Sequence, residues 1–183
     1  MTPTIPAEPW VLSYGPHPGR EGQCAREALH RLVTGEVRDA APECACPVLA
    51  AVLPPINDAY GDDDEDDARR TAALWPVVLA LVDTRGTTED ERRRSLALAD
   101  LAVRRWAPAA LDIAYLPDHA ATLRALKPVV DCETAWGASK AAAAADAAAA
   151  AATARSARRD TLDACAADVL ALVLDERRRT GLA

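Results

Sequence analysis

From Lys140 to Arg178 the chain contains neither proline nor glycine, and positions 141–152 are alanine except for Asp146. Alanine is the best helix former, and glycine and proline are the worst. The stretch therefore predicts one long helix of roughly 39 residues, about 58 Å at 1.5 Å per residue. Alanine supplies 43 of the 183 residues and nearly half of a 50% hydrophobic set, while aromatics are 4% with no Phe. Burying a Leu-sized side chain contributes roughly 1.5–3 kcal/mol, and an alanine far less. A large aromatic core is excluded. A β-sandwich is disfavoured, because residues that suit a pleated surface are sparse. The expected class is all-α: a compact multi-helix bundle with proline-kinked helices, an extended N-terminal arm and one long Ala-rich C-terminal helix.

Three segments are expected: an extended Pro/Gly-rich arm at 1–19, a helical body at 20–136, and a long helix at 137–183 packing on the body or a partner. Trp10, Val11, Leu12 and Tyr14 are the arm's anchors. A first helix is predicted from Arg20 to Val33, stopped by Gly35. A second starts at Cys46-Pro47, with proline in the first turn where its missing N–H costs nothing. Pro54-Pro55 must kink or break it. The acidic run 62–67 reads as a solvated turn before a third helix at 65–82, kinked at Pro76. After the loop 83–87, Thr87 with Asp90 or Thr88 with Glu91 resembles a capping box. The helix that follows, to Trp106, carries the most apolar face and is expected to be central. Pro108, Pro117 and Pro128 divide the next stretch into short helices at 109–115 and 118–126. Gly137 and Ser139 read as a stop and a new N-cap.

Formal net charge is -7. The acidity is local: residues 57–100 hold 12 acidic against 6 basic groups. No basic face emerges, which argues against a nucleic-acid partner. Five cysteines at irregular spacing do not form a disulfide framework, and the N-terminus lacks a signal-peptide pattern. The Ala tract is too weakly hydrophobic to span a bilayer. No membrane partner and no cofactor are expected, and the setting reads as cytoplasmic.

Several residue groups invite a chemical reading. Glu27 and His30 form a Glu-x-x-His pair on one helical face, but a di-iron bundle needs two such pairs and two further Glu. Cys44 and Cys46 could supply two soft ligands, although structural zinc sites use Cys-x₂₋₄-Cys. Glu27, His30, Cys44 and Cys46 are the metal candidates, each more simply read as a capping or packing residue. The run 62–67 fails the calcium-loop pattern, because the sixth and twelfth positions from Asp62 are Asp67 and Ala73. Arg85, Gly86 and Thr87 before a helix start have the elements of an anion site, without a Walker pattern. Asn57, Asp58 and Asp100 are the polar residues expected to lie beside that loop. Asp100 sits among Leu98, Leu101 and Val103 and needs a partner, which Arg104, four residues on, or Arg85 can supply.

The stretch from Tyr14 to Asp131 carries a set of short motifs: Tyr14-Gly15-Pro16 with Arg20-Glu21-Gly22, Cys46-Pro47-Val48 leading to Ile56-Asn57-Asp58, and Thr84-Arg85-Gly86-Thr87. The Arg93 to Pro108 helix, His119 and Pro128-Val129-Val130-Asp131 complete it. As a set these resemble a family of Ala-rich helical proteins of actinobacteria and their phages. No activity is attached to that family, so the resemblance implies a source and no mechanism.

The leading expectation is a non-enzymatic cytoplasmic protein for protein–protein interaction or assembly. It engages a partner or a second copy through the C-terminal face of Leu162, Cys165, Val169, Leu172 and Val173. The alternative is a small-ligand-binding protein or enzyme. Its site would draw on Glu27, His30, Asp58 and Asp100 as catalytic candidates and on Arg85, Gly86, Thr87 and Arg104 for the ligand. A metalloprotein built on Glu27/His30 or Cys44/Cys46 is the third reading.

Overall fold

The computed structural model describes residues 5–15, 23–149 and 155–181, with side chains described outside 143–160. The fold is all-α. Among the described residues the extended pairing is confined to an isolated bridge between Leu12 and Gln23. No helix among them is long and apolar enough to cross a membrane. The chain divides into two compact units, Met1–Thr87 with Leu162–Ala183, and Thr88–Thr161. The single helical body read at 20–136 is thus parted at Thr87, and the C-terminal helix is shared between the units.

In the first unit, α1 (Ala25–Thr34) opens on a capping box in which the Glu27 carboxylate accepts the Cys24 N–H at 2.8 Å. Gly35, at φ 81°, ends it by donating its N–H to Arg31 O. The residues from Arg20 to Gly22, where the helix was expected to start, lie outside the described residues. α2 (Pro47–Ala50) starts on its proline as expected. The break comes before the Pro54-Pro55 pair, because α3 (Leu53–Ala59) takes both prolines into its first turn. There the missing N–H groups have no helical acceptor to leave unpaired.

The acidic run is solvated from Asp62 to Glu65 as expected, and the helix starts inside it, at Asp64. Asp63 caps α4 (Asp64–Ala80) by accepting the Asp66 N–H at 2.7 Å, and Asp66 is buried. Carboxylates in a first turn complement the positive end of the helix. Gly61, at φ 113°, is fixed by the same turn, since a Cβ there would strike the Asp66 carboxylate. Leu29, Leu49, Leu53, Leu74, Val77 and Val78 form the core with Leu12 from the arm, all fully buried. Trp10 meets Trp75 edge-on at 5.5 Å and carries the Arg31 guanidinium 4.5 Å from its ring centroid. Two of the expected arm anchors thus dock, whereas Val11 and Tyr14 are exposed.

Arg70 is completely buried at the centre of this unit. Its Nε donates to Asn57 O at 2.8 Å, and one terminal nitrogen donates to Leu12 O at 3.1 Å and pairs with Asp67. The other donates to Gly61 O. One guanidinium therefore ties together the arm, α3, the Gly61 turn and α4.

From Leu162 onward, α9 (Arg155–Thr180) belongs to the first unit. Asp163 accepts the Tyr60 hydroxyl at 2.7 Å and Arg69 Nε at 2.7 Å. Arg177 donates to Val82 O at 2.5 Å and Ala80 O at 3.3 Å. Cys165, Val169 and Val173 are buried, and Leu162 and Leu172 are half-buried. The stripe expected to meet a partner is covered by its own unit.

The second unit holds α5 (Thr88–Leu101), a π-helical turn (Ala102–Trp106), α6 (Ala107–Ile113), α7 (Pro117–Arg124) and α8 (Cys132–Ala149). Pro108 explains the π turn. It has no N–H to offer the Arg104 carbonyl, and its ring would clash with it; widening the turn relieves both, and Ala107 N–H reaches back to Ala102 O. Leu111, Ala120 and Leu123 form the core, with Val103, Leu116, Leu126 and Ala141 packed against it. α5 buries only Arg94 and Leu98, less than its apolar stripe suggested. Gly137, expected to stop one helix and start the next, lies inside α8. The helix instead starts behind Asp131, whose carboxylate accepts the Thr134 N–H at 2.8 Å. Whether α8 and α9 are one helix falls on residues 150–154, outside the described residues.

Candidate functional site

Most of the polar residues singled out in the sequence hold the fold. Glu27 is consumed by the α1 capping box. Burial pushes the neighbouring Cys24 thiol up to about 11. Asp58 accepts the Gly15 N–H at 3.1 Å and Asn57 Nδ2 at 3.0 Å, fastening the arm. Asp100 pairs with Arg104 at 3.1 Å, as the i,i+4 spacing suggested, and also accepts the Val129 N–H at 2.9 Å.

At the start of the loop proposed as an anion cradle, Thr84 and Arg85 are engaged internally. Arg85 donates its backbone N–H to Cys44 O at 2.7 Å. Thr84 accepts the Cys46 N–H at 3.0 Å while its hydroxyl donates to Leu81 O at 2.7 Å. Glu27, His30, Asp58, Arg85, Gly86 and Thr87 belong to the first unit, Asp100 and Arg104 to the second. Cys46 is buried at the N-cap of α2. Among the described residues no three His, Cys, Asp or Glu side chains converge in a way that could hold a metal ion. None of the five cysteines is in a disulfide.

His30 is the exception. It lies on α1 and lines a cleft of about 500 Å³ with Glu36, Arg38, Glu43 and Cys44, walled by Val33, Ala41 and Pro42. Its Nδ1 sits 2.8 Å from Glu36 O and 2.9 Å from Thr34 Oγ1. Glu36 is paired with Arg38 at 2.7 Å. Of the lining residues the sequence singles out His30 and Cys44, but not Glu36, Arg38 or Glu43. Residues 36–44 lack helical periodicity, so nothing in them signals that they fold back over α1.

Two large apolar side chains are prominent on the surface of the second unit. Tyr115 is 88% exposed and Trp136 is 66% exposed. Trp136 lies on α8 beside Lys140, whose Nζ is 5.4 Å from the ring centroid. Glu133, Trp136, Gly137 and Lys140 share the exposed face of that helix, whereas Ala138 is buried. The sequence signal for this face is a lone Trp among small residues. No protein-family model, curated protein or solved structure matches the chain.

Proposed function

We propose that this chain is a protein–protein interaction or assembly protein that pairs with a second copy through the exposed face of α8. The observation that carries the reading is Trp136, 66% exposed in a chain whose aromatics are 4% of its residues. Trp is prominent among the residues that carry binding energy at interfaces. The face is also self-complementary. Glu133 and Lys140 stand two turns apart with Trp136 and Gly137 between them. In an antiparallel two-fold pairing, Glu133 of one copy meets Lys140 of the other, and each Trp136 lies over a Gly137. Isologous contacts have this reciprocity. A Cβ built on Gly137 meets nothing within 4 Å, so the space above it is open. Five cysteines without a disulfide favour a reducing, cytoplasmic setting.

Light scattering across the micromolar range tests the proposal. The wild-type chain dimerises and Trp136→Ser is monomeric with unchanged helicity. Glu133→Lys and Lys140→Glu each weaken the dimer, and the double exchange restores it. A wild-type chain that stays monomeric throughout, or a dimer indifferent to Trp136→Ser, refutes the α8 interface.

A further inference from the structure

The cleft at His30 has a polarity of its own. The Thr34 hydroxyl proton is directed at His30 O, 2.8 Å away, so at His30 Nδ1 that oxygen acts as an acceptor. Glu36 O, 2.8 Å from the same nitrogen, can only accept. Two acceptors at one ring nitrogen require that it carry the proton, and the neutral ring then keeps its lone pair on Nε2. His30 is 9% exposed and lines the cleft, and among the described residues no partner occupies Nε2. Nε2 therefore stands as an acceptor open to a donor that enters the cleft.

The charges in the cleft point the same way. Arg38 and Glu36 neutralise each other. Glu43 also lines the cleft and has no partner among the described residues, so its carboxylate leaves the cleft negative. Val33, Ala41 and Pro42 supply apolar wall. A complementary ligand is a cation with N–H donors and a short apolar body. The volume falls in the range of small-molecule pockets.

We propose that the cleft between α1 and residues 36–44 binds a small primary amine in its ammonium form. An N–H donates to His30 Nε2, the positive charge faces Glu43, and the alkyl portion lies against Val33, Ala41 and Pro42.

The test uses the full chain and n-butylammonium as the probe, with butyrate as a size-matched anion. The His30 ring resonances are followed by long-range ¹H–¹⁵N NMR. Saturable perturbation of Nε2 by butylammonium, with none by butyrate, is expected. His30→Asn keeps a donor near the Nδ1 position and removes Nε2. Glu43→Gln removes the charge at an exposed position and leaves the fold intact. Each weakens binding about tenfold or more, as loss of a hydrogen bond to a charged group does. Absence of saturation with butylammonium, equal binding of butyrate, or unchanged affinity in Glu43→Gln overturns the proposal.

Discussion

Arg70→Met tests whether one buried guanidinium organises the first unit. The substitution keeps the length and apolar stem and removes every donor. Hydrogen bonds to the carbonyls of Asn57, Leu12 and Gly61 are lost, together with the Asp67 ion pair. Bonds from a charged donor contribute about 1.5–3 kcal/mol each, so three sum to about 4.5–9 kcal/mol. Removing the buried charge recovers a desolvation cost of about several kcal/mol. Asp67 is 24% exposed and rehydrates, so it adds little. The net loss is about 3–5 kcal/mol. With a urea m-value of about 2 kcal/mol/M, the midpoint falls by about 1.5–2.5 M. Tryptophan fluorescence reads it, because Trp10 and Trp75 belong to the affected core. Arg70→Lys falls between the two, since an ammonium cannot serve three separated carbonyls as a planar fork does. A midpoint for Arg70→Met within about 0.5 M of wild type would refute the reasoning.

Two further outcomes follow from the local geometry. Tyr115 ends α6 in a Schellman motif, with Leu116 N–H on Leu111 O at 2.9 Å and Tyr115 N–H on Asp112 O at 3.0 Å, and its φ is 59°. Glycine is the usual residue there, and a side chain at that φ costs about 1–2 kcal/mol; Tyr115→Gly therefore raises the melting temperature, and a lowered one refutes the strain. Burial and the hydrogen bond to Asp163 push the Tyr60 hydroxyl well above its ordinary value of 10.0. Below that pH the contribution is fully present. Above it the unfolded chain loses the proton first, so stability falls as pH rises through 10 and beyond. Tyr60→Phe removes that alkaline loss and costs about 1 kcal/mol at neutral pH; parallel wild-type and mutant stability curves above pH 10 would contradict the assignment.

What was legible in the sequence was local. Gly35 as a stop, proline at the start of α2 and the Asp100–Arg104 pair all depend on residues a few positions apart, where helix geometry fixes the neighbours. Arg70 was invisible because its partners include Leu12, 58 positions away, and a charged residue in a helix reads as surface until they converge. The stripe on α9 was legible as apolar, but its cover was not. The residues that dock it, Tyr60 and Arg69, lie 103 and 94 positions from Asp163. For the cleft, His30 was visible on its helix, while the loop that builds the opposite wall has no period to read.

The docking of α9 shows why polar contacts matter in a chain so rich in alanine. Cys165, Val169 and Val173 recur every four residues, with Ala166 beside them. These side chains are small and similar, so a slide of one helical turn would place Cys165 where Val169 was at little apolar cost. Shape alone cannot select the register. Polar groups can: Asp163 and Arg177 bracket the stripe and meet fixed groups at each end, and Asp168 and Glu176 are buried on the same helix. A one-turn slip displaces each by about 5.4–6 Å, beyond hydrogen-bond reach. It strands the Tyr60 hydroxyl at a cost of about 1–3 kcal/mol and leaves the Val82 carbonyl without its guanidinium. Weak, repetitive packing sets how closely α9 can approach; its polar contacts set where it stops.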